Sequence, residues 1–170
     1  MNVKFISVAV LSIIIVVGLA LYATQKTAEQ VDNKELVKIQ AVVEGFGLRL
    51  RNVSLLAPEE TVRADIEHEY GPYVDEKLIT AWQLAPLDAP GRLTSSPWPA
   101  RINIETITKI NSSKYSVQGT MIELSSAEET SGSIAASYPV TLTVEKIDGA
   151  WLITTYEKGA LIRNVTAPTQ

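Results

Sequence analysis

The chain has 170 residues, 15 Lys+Arg against 19 Asp+Glu, a formal net charge of −4, one histidine and no cysteine. The lack of cysteine excludes disulfides, cysteine-ligated zinc, thiol nucleophiles and a lipoprotein anchor together. A single histidine leaves the usual zinc and Ser-His-Asp constellations almost without material, and with no Lys/Arg cluster a nucleic-acid partner is not expected.

Residues 5–23 read FISVAVLSIIIVVGLALYA, a run with no charged side chain. A helix of that length covers about 28 Å, the thickness of one bilayer hydrocarbon core. In lipid every backbone group must be bonded within the segment, so a single span has to be helical. Lys4 and the α-amino group lie on the short flank; Lys26, Glu29 and Asp32 lie on the other. That bias predicts residues 1–4 in the cytoplasm, a transmembrane anchor over 5–23, a stalk over 24–32, and a domain outside a plasma membrane crossed once. The competing reading is a cleaved signal peptide, with Gly18-Leu19-Ala20 or Leu21-Tyr22-Ala23 as the small-x-small site. The expected partners are membrane lipid along residues 5–23 and other envelope proteins, or a second copy.

After the stalk, Asp32-Asn33-Lys34-Glu35 reads as a capping box. Leu36, Ile39, Val43, Phe46 and Leu50 follow at steps of three and four, one face of an amphipathic helix. Gly45 and Gly47 interrupt it, and either admit a close neighbour or mark a bend. Pro58 with Glu59 and Glu60 predicts a second helix with proline in its first position, carrying Val62, Ile66 and Tyr70 inward and stopped by Gly71-Pro72. Asp75-Glu76 opens a short third helix through Leu78, Ile79 and Trp82. Residues 84–99 hold four prolines and read as an ordered loop with extended geometry.

From Arg101 the apolar period changes to two. Strands are expected over 101–110, 114–124, 138–147 and 150–156. A turn at Asn111-Ser112-Ser113, a mobile polar loop over 125–137 and an Asp148-Gly149 hairpin connect them. Residues 159–170 read as a tail, with Leu161-Ile162 as candidates for packing. Helices followed by an antiparallel meander predict α+β: about three helices on a curved four-stranded antiparallel sheet, over residues 33–158. This order of elements resembles the nuclear transport factor 2-like (cystatin-like) superfamily. With the anchor included, it is similar in layout to the bitopic scaffold subunits of type IV secretion and conjugation systems. The resemblance implies a cone formed by a sheet wrapped on a long helix. It rests on element order, so it implies no site residues.

Three constellations carry candidate chemistry. Strand alternation places Glu123 with Tyr115, Val117 and Met121 on the face that lines the cone. A carboxylate there would be desolvated and raised in pKa, a candidate general base with Tyr115 or Tyr156 as hydrogen-bond donors, as in ketosteroid isomerase. Against this, Gly119 could mark a bulge that turns Glu123 to solvent. Trp98, set between Pro97 and Pro99 with Arg92 and Arg101 close in sequence, is a candidate interface anchor; the plain alternative is a plug between helices and sheet. Asp65, His68 and Glu69 fall at i, i+3 and i+4, a spacing that suits a divalent metal and equally a solvated acidic face. No phosphate loop, dinucleotide turn or nucleophile elbow is present, and no metal or cofactor is expected. The chain therefore reads first as a membrane-anchored extracytoplasmic interaction domain, a scaffold of the cell envelope. The alternative is a small apolar ligand-binding protein or a pocket enzyme using Glu123.

Overall fold

The computed structural model describes residues 33–162. The chain divides into two compact units, Met1–Val37 and Lys38–Gln170. Of the first, residues 33–37 are described and are helical. The expected anchor, stalk and capping Asp32 lie outside the described residues, as does the end of the tail. Among the described residues no helix is long and apolar enough to cross a membrane.

Helix α1 covers 33–49 and runs into a 3-10 turn, Leu50–Asn52. Its inward side chains Ile39, Val43, Phe46 and Leu50 are fully buried, as their spacing requires. The helix runs through both glycines without a break. A Cβ at Gly47 would stand 2.7 Å from the backbone nitrogen of Ile102, and one at Gly45 would strike the Tyr73 ring. They are the places where a strand and a ring approach the helix axis.

Helix α2 is Glu59–Tyr70, with Val62, Ile66 and Tyr70 buried. Pro58 sits at its N-cap, one residue before the first helical position, with its carbonyl accepting from the Val62 N–H. Helix α3 is Glu76–Leu84, capped by the Asp75 carboxylate on the Lys77 N–H, with Ile79 and Trp82 buried. The proline-rich segment contains a 3-10 turn, Pro86–Asp88.

The four strands form one antiparallel sheet in sequence order: β1 Trp98–Asn111, β2 Lys114–Leu124, β3 Ala136–Ile147 and β4 Ala150–Lys158. β1 begins three residues earlier than the period suggests, because Trp98 and Pro99 already pair with Leu124 and Glu123. The β3–β4 turn has φ of 49° at Asp148 and 89° at Gly149, the mirror-image geometry that an Asp-Gly pair favours. The segment expected to be a mobile loop holds a fourth helix, α4, Ser126–Ser131. Ser125 and Glu128 cap it reciprocally, and Gly132 closes it at φ 76°. The Ser-x-x-Glu pattern is the signature of that cap.

Bulges interrupt the pairing at both edges of the sheet. β1 carries three extra residues, Ala100, Glu105 and Ile110, the second where Ile104 pairs Gly119 and Thr106 pairs Gln118. β4 carries one at Thr154, between Ile153 paired to Val144 and Thr155 paired to Thr143. Strict alternation from Trp151 and Ile153 would send Tyr156 outward; the extra residue returns it to the inner face. The edge of β4 is covered in part by the chain between α2 and α3: the Ile153 N–H donates to Tyr73 O at 2.8 Å, and its carbonyl accepts from Asp75 N–H at 3.0 Å.

Four rings fill the space between helices and sheet. Phe46 lies edge-on to Tyr70 at 5.0 Å and to Tyr156 at 6.0 Å, and stacks on Trp82 at 6.2 Å. Trp151 packs against Tyr115 at 5.3 Å, at the far end of the same face.

Candidate functional site

The proline-rich loop is tied down at its middle. Arg92 exchanges both backbone hydrogen bonds with residues 53–55: its N–H donates to Val53 O at 2.8 Å, and its carbonyl accepts from Leu55 N–H at 2.9 Å. The buried Tyr70 hydroxyl donates to Pro90 O, and Thr94 Oγ1 donates to Pro97 O at 3.0 Å. Gly91 permits this seam, since a Cβ there would stand 2.8 Å from Val53 O. The loop is therefore held from the helical side and again where it enters β1.

Between the loop and the 3-10 turn after α1 lies an open groove of about 470 Å³, lined by Arg51, Asn52, Arg92, Ser95 and Trp98. Each of these side chains carries a hydrogen-bond donor, and none is acidic. The Arg51 guanidinium reaches Glu129 at 4.0 Å, with both side chains more than half exposed. Asn52 Nδ2 donates to Glu69 Oε2 at 2.8 Å. Arg92 Nε and Trp98 Nε1 are buried and meet no acceptor among the described residues. Two buried N–H groups without acceptors are the feature of this fold that packing alone does not explain.

Of the three anchors expected from sequence, the structure brings Arg92 and Trp98 together and separates Arg101. Arg101 lines a different hollow, of about 460 Å³, with Glu44, Leu48 and residues 102–104, and its Nε donates to Asn103 Oδ1 at 3.0 Å. Alternation does not separate them: the register shift after Pro99 sets Trp98 opposite Leu124 and Arg101 opposite Ile122, on one face of the sheet, and the two side chains line different hollows along it. Sequence reasoning missed Arg51, Asn52 and Ser95. Arg51 and Asn52 enter only because the 3-10 turn after α1 meets the loop, a contact between distant segments that no local pattern announces.

The second candidate lies on the inner face. β2 pairs with β3 without a register shift from Lys114 to Glu123, so Glu123 keeps the face of Tyr115, Val117 and Met121. The bulge foreseen at Gly119 exists, but its extra residue is in β1; Gly119 instead admits the Asn103 carbonyl, 2.5 Å from where a Cβ would stand. Glu123 is half-buried, and desolvation raises its carboxyl above the usual range while the Lys158 charge pulls it part of the way back. Tyr156 is driven well up, first by burial and then by the Glu123 charge, and its hydroxyl lies 3.6 Å from Met121 Sδ. Tyr138 is raised by burial and by Glu123. The Lys158 ammonium lies 4.2 Å from the centre of the Tyr138 ring.

Tyr115 does not join this group. It sits eight positions back along β2, about 26 Å away by strand rise, and is buried against Trp151. The inner-face group is Glu123, Tyr138, Tyr156 and Lys158, and of its members the sequence named Glu123 and Tyr156. The cleft beside it measures about 120 Å³ and is lined by Leu55, residues 87–91, Leu93, Met121, Tyr156 and Lys158. The group offers a carboxylate that holds its proton more tightly than usual, balanced by a nearby ammonium; Tyr156 and Lys158, but not Glu123, line the cleft, which is too small for a drug-sized ligand.

On α2, the carboxylate of Glu69 accepts from Asn52 and lies 3.6 Å from Arg49, while His68 is 84% exposed. The Asn52 hydrogen bond leads the causes that hold Glu69 below the usual carboxylate range. These bonds engage Glu69 within the fold. Among the described residues no group of three His, Asp or Glu side chains is placed to hold a metal ion.

No family model matches the chain, and no curated protein matches it. Among solved structures it is similar to an NTF-2-like protein of unknown function from Shewanella oneidensis MR-1. The two are 18% identical over 62% of this chain and 93% of that one, with a TM-score of 0.34.

Proposed function

We propose that this chain is a membrane-tethered interaction domain of the cell envelope, held by residues 5–23 with its folded part outside, and that it docks a partner through the groove of Arg92 and Trp98. The observation that carries the reading is the pair of buried N–H groups without acceptors beside an open groove of about 470 Å³. The backbone bonds that fix the loop support it, because a segment already ordered loses little entropy on docking. So do the residue types, since tryptophan and arginine are the most enriched at binding hot spots.

The test is the double change Arg92→Ala with Trp98→Ala, read by partner crosslinking in membranes and by thermal stability. Loss of the crosslink with stability kept supports the groove. Loss of stability instead makes Trp98 a packing residue and removes the site. The tether is tested separately: protease added to spheroplasts should digest the folded part, and a mature chain beginning at Leu21 or Thr24 would show cleavage in place of an anchor.

A second reading rests on Glu123. A half-buried carboxylate with a raised pKa on the inner face suits a small-ligand site or a pocket enzyme. The filled interior weighs against it, because Phe46, Tyr70, Trp82 and Tyr156 occupy the space such a ligand would need and leave a cleft of about 120 Å³.

A further inference from the structure

The groove has a chemical preference that its shape alone does not state. Its five lining residues are two arginines, an asparagine, a serine and a tryptophan. Together they present donors and fixed positive charge, with no carboxylate among the lining side chains. The Arg92 guanidinium makes no ion pair among the described residues, and its Nε lacks any acceptor. The Trp98 indole N–H lacks one too. Leaving such groups buried and unmatched is costly, and an acceptor brought by a ligand removes the cost. Arg51 is held only loosely: its contact with Glu129 is long and both side chains are more than half exposed, so an incoming carboxylate can displace it.

We infer that the groove takes an acidic extended segment of a partner protein, one of whose carboxylates lies between Arg51 and Arg92 while a neighbouring apolar side chain rests on the Trp98 ring. The inference rests on the reading of the groove as an interface and names the chemistry of what enters it. Planar guanidinium groups match carboxylates in a two-point geometry. The donors are spread over residues 51–52, 92–95 and 98, along a trough larger than a lone phosphate needs. Arginines hold phosphate as well as carboxylate, so inorganic phosphate is the control that separates the two. The Trp98 ring adds apolar surface next to the charge, so a segment alternating acidic and apolar residues fits better than a run of acids.

The experiment uses the full-length chain in detergent, labelled so that the tryptophan indole N–H resonances are observed, with the Trp98 signal assigned by its loss in Trp98→Phe. The probes are a short peptide alternating glutamate and leucine, the same peptide with glutamine for glutamate, and inorganic phosphate. The glutamate peptide is expected to move the Trp98 resonance in a saturable way. The glutamine peptide and the Arg92→Ala variant should each bind about tenfold or more weakly, and Arg92→Lys should keep part of the affinity. Equal binding of the two peptides, no shift with either, or the same saturable shift with phosphate alone would overturn the inference. The crosslinking test separates this failure from failure of the interface reading. If the double variant loses its partner while the glutamate peptide is inert, the groove remains an interface and its occupant is not acidic. If the crosslink persists and the peptide is inert, both readings fall.

Discussion

Trp82 and Trp98 stand at the two ends of one proline-rich segment, the first near the end of α3 and the second opening β1, and they finish in opposite environments. Trp82 is 4% exposed and lies among Phe46, Tyr70 and Tyr156, with ring centres 5.8–6.3 Å from its own. Trp98 is half-buried, lines an open groove and leaves its indole N–H unmatched. The same side chain closes the interior in one place and stays only partly covered in the other. The difference lies in the surroundings. Three elements converge on Trp82, whereas Trp98 sits on an edge strand beside polar and charged neighbours. The interior of this fold is thereby committed to packing, and the surface that can still accept a partner is the one where packing stopped short.

That contrast can be broken most directly at the two tryptophans. Trp82→Ala is expected to lower stability by about 3–5 kcal/mol, the cost of emptying a large buried site. Trp98→Ala should cost less than about 2 kcal/mol, because less of the ring leaves a packed environment. Chemical denaturation of the two full-length variants in detergent measures both. Equal losses would place Trp98 in the core and end the distinction.

A smaller effect is expected at Gly47, where α1 lies against β1. Alanine there gains about 1 kcal/mol of helix propensity, but a Cβ near the Ile102 backbone forces a shift costing about 1–3 kcal/mol. The same denaturation series should show a net loss of up to about 2 kcal/mol, with the response of Trp98 to peptide unchanged. A stabilised variant would mean that α1 and β1 are not in contact at this point.

Glu123 offers a test by pH. Its folded-state pKa is raised, so the folded chain holds this proton more tightly than the unfolded chain does. The contribution favours folding fully below the unfolded carboxyl value and is lost as pH rises through the higher folded value. Glu123→Gln mimics the protonated form. It should match the parent at acid pH and exceed it in thermal stability near neutrality, by less than about 1 kcal/mol once screening of a half-exposed group is allowed for. A variant less stable than the parent at neutral pH would mean that the attraction of Lys158 outweighs desolvation.

The smallest change is expected from Tyr156→Phe. The hydroxyl meets a thioether sulfur at 3.6 Å, a weak acceptor, so removing it should cost less than about 1 kcal/mol. A larger loss would reveal a stronger partner for Tyr156 and would favour the inner face as the working site.

The sequence by itself determined the elements whose signal is local and periodic. α1 through Ile39, Val43 and Phe46, the caps of α3, the span of β2 and the Asp-Gly turn all follow from spacing and backbone chemistry within a few residues. It also carried the Ser125–Glu128 cap of α4, hidden within a run of small polar residues that reads as loop. It placed Glu123 on the inner face, because alternation along β2 is uninterrupted where the pairing with β3 is regular. Tertiary structure decided the rest. The extra residues at Glu105 and Thr154 are defined only by what lies on the neighbouring strand and leave no mark in the sequence; the one at Thr154 returns Tyr156 inward. The groove was decided in the same way. Arg51 and Asn52 reach Arg92 and Trp98 because a backbone seam joins residues 53–55 to Arg92, and such a seam is fixed by chain topology, which a linear pattern of side chains does not encode.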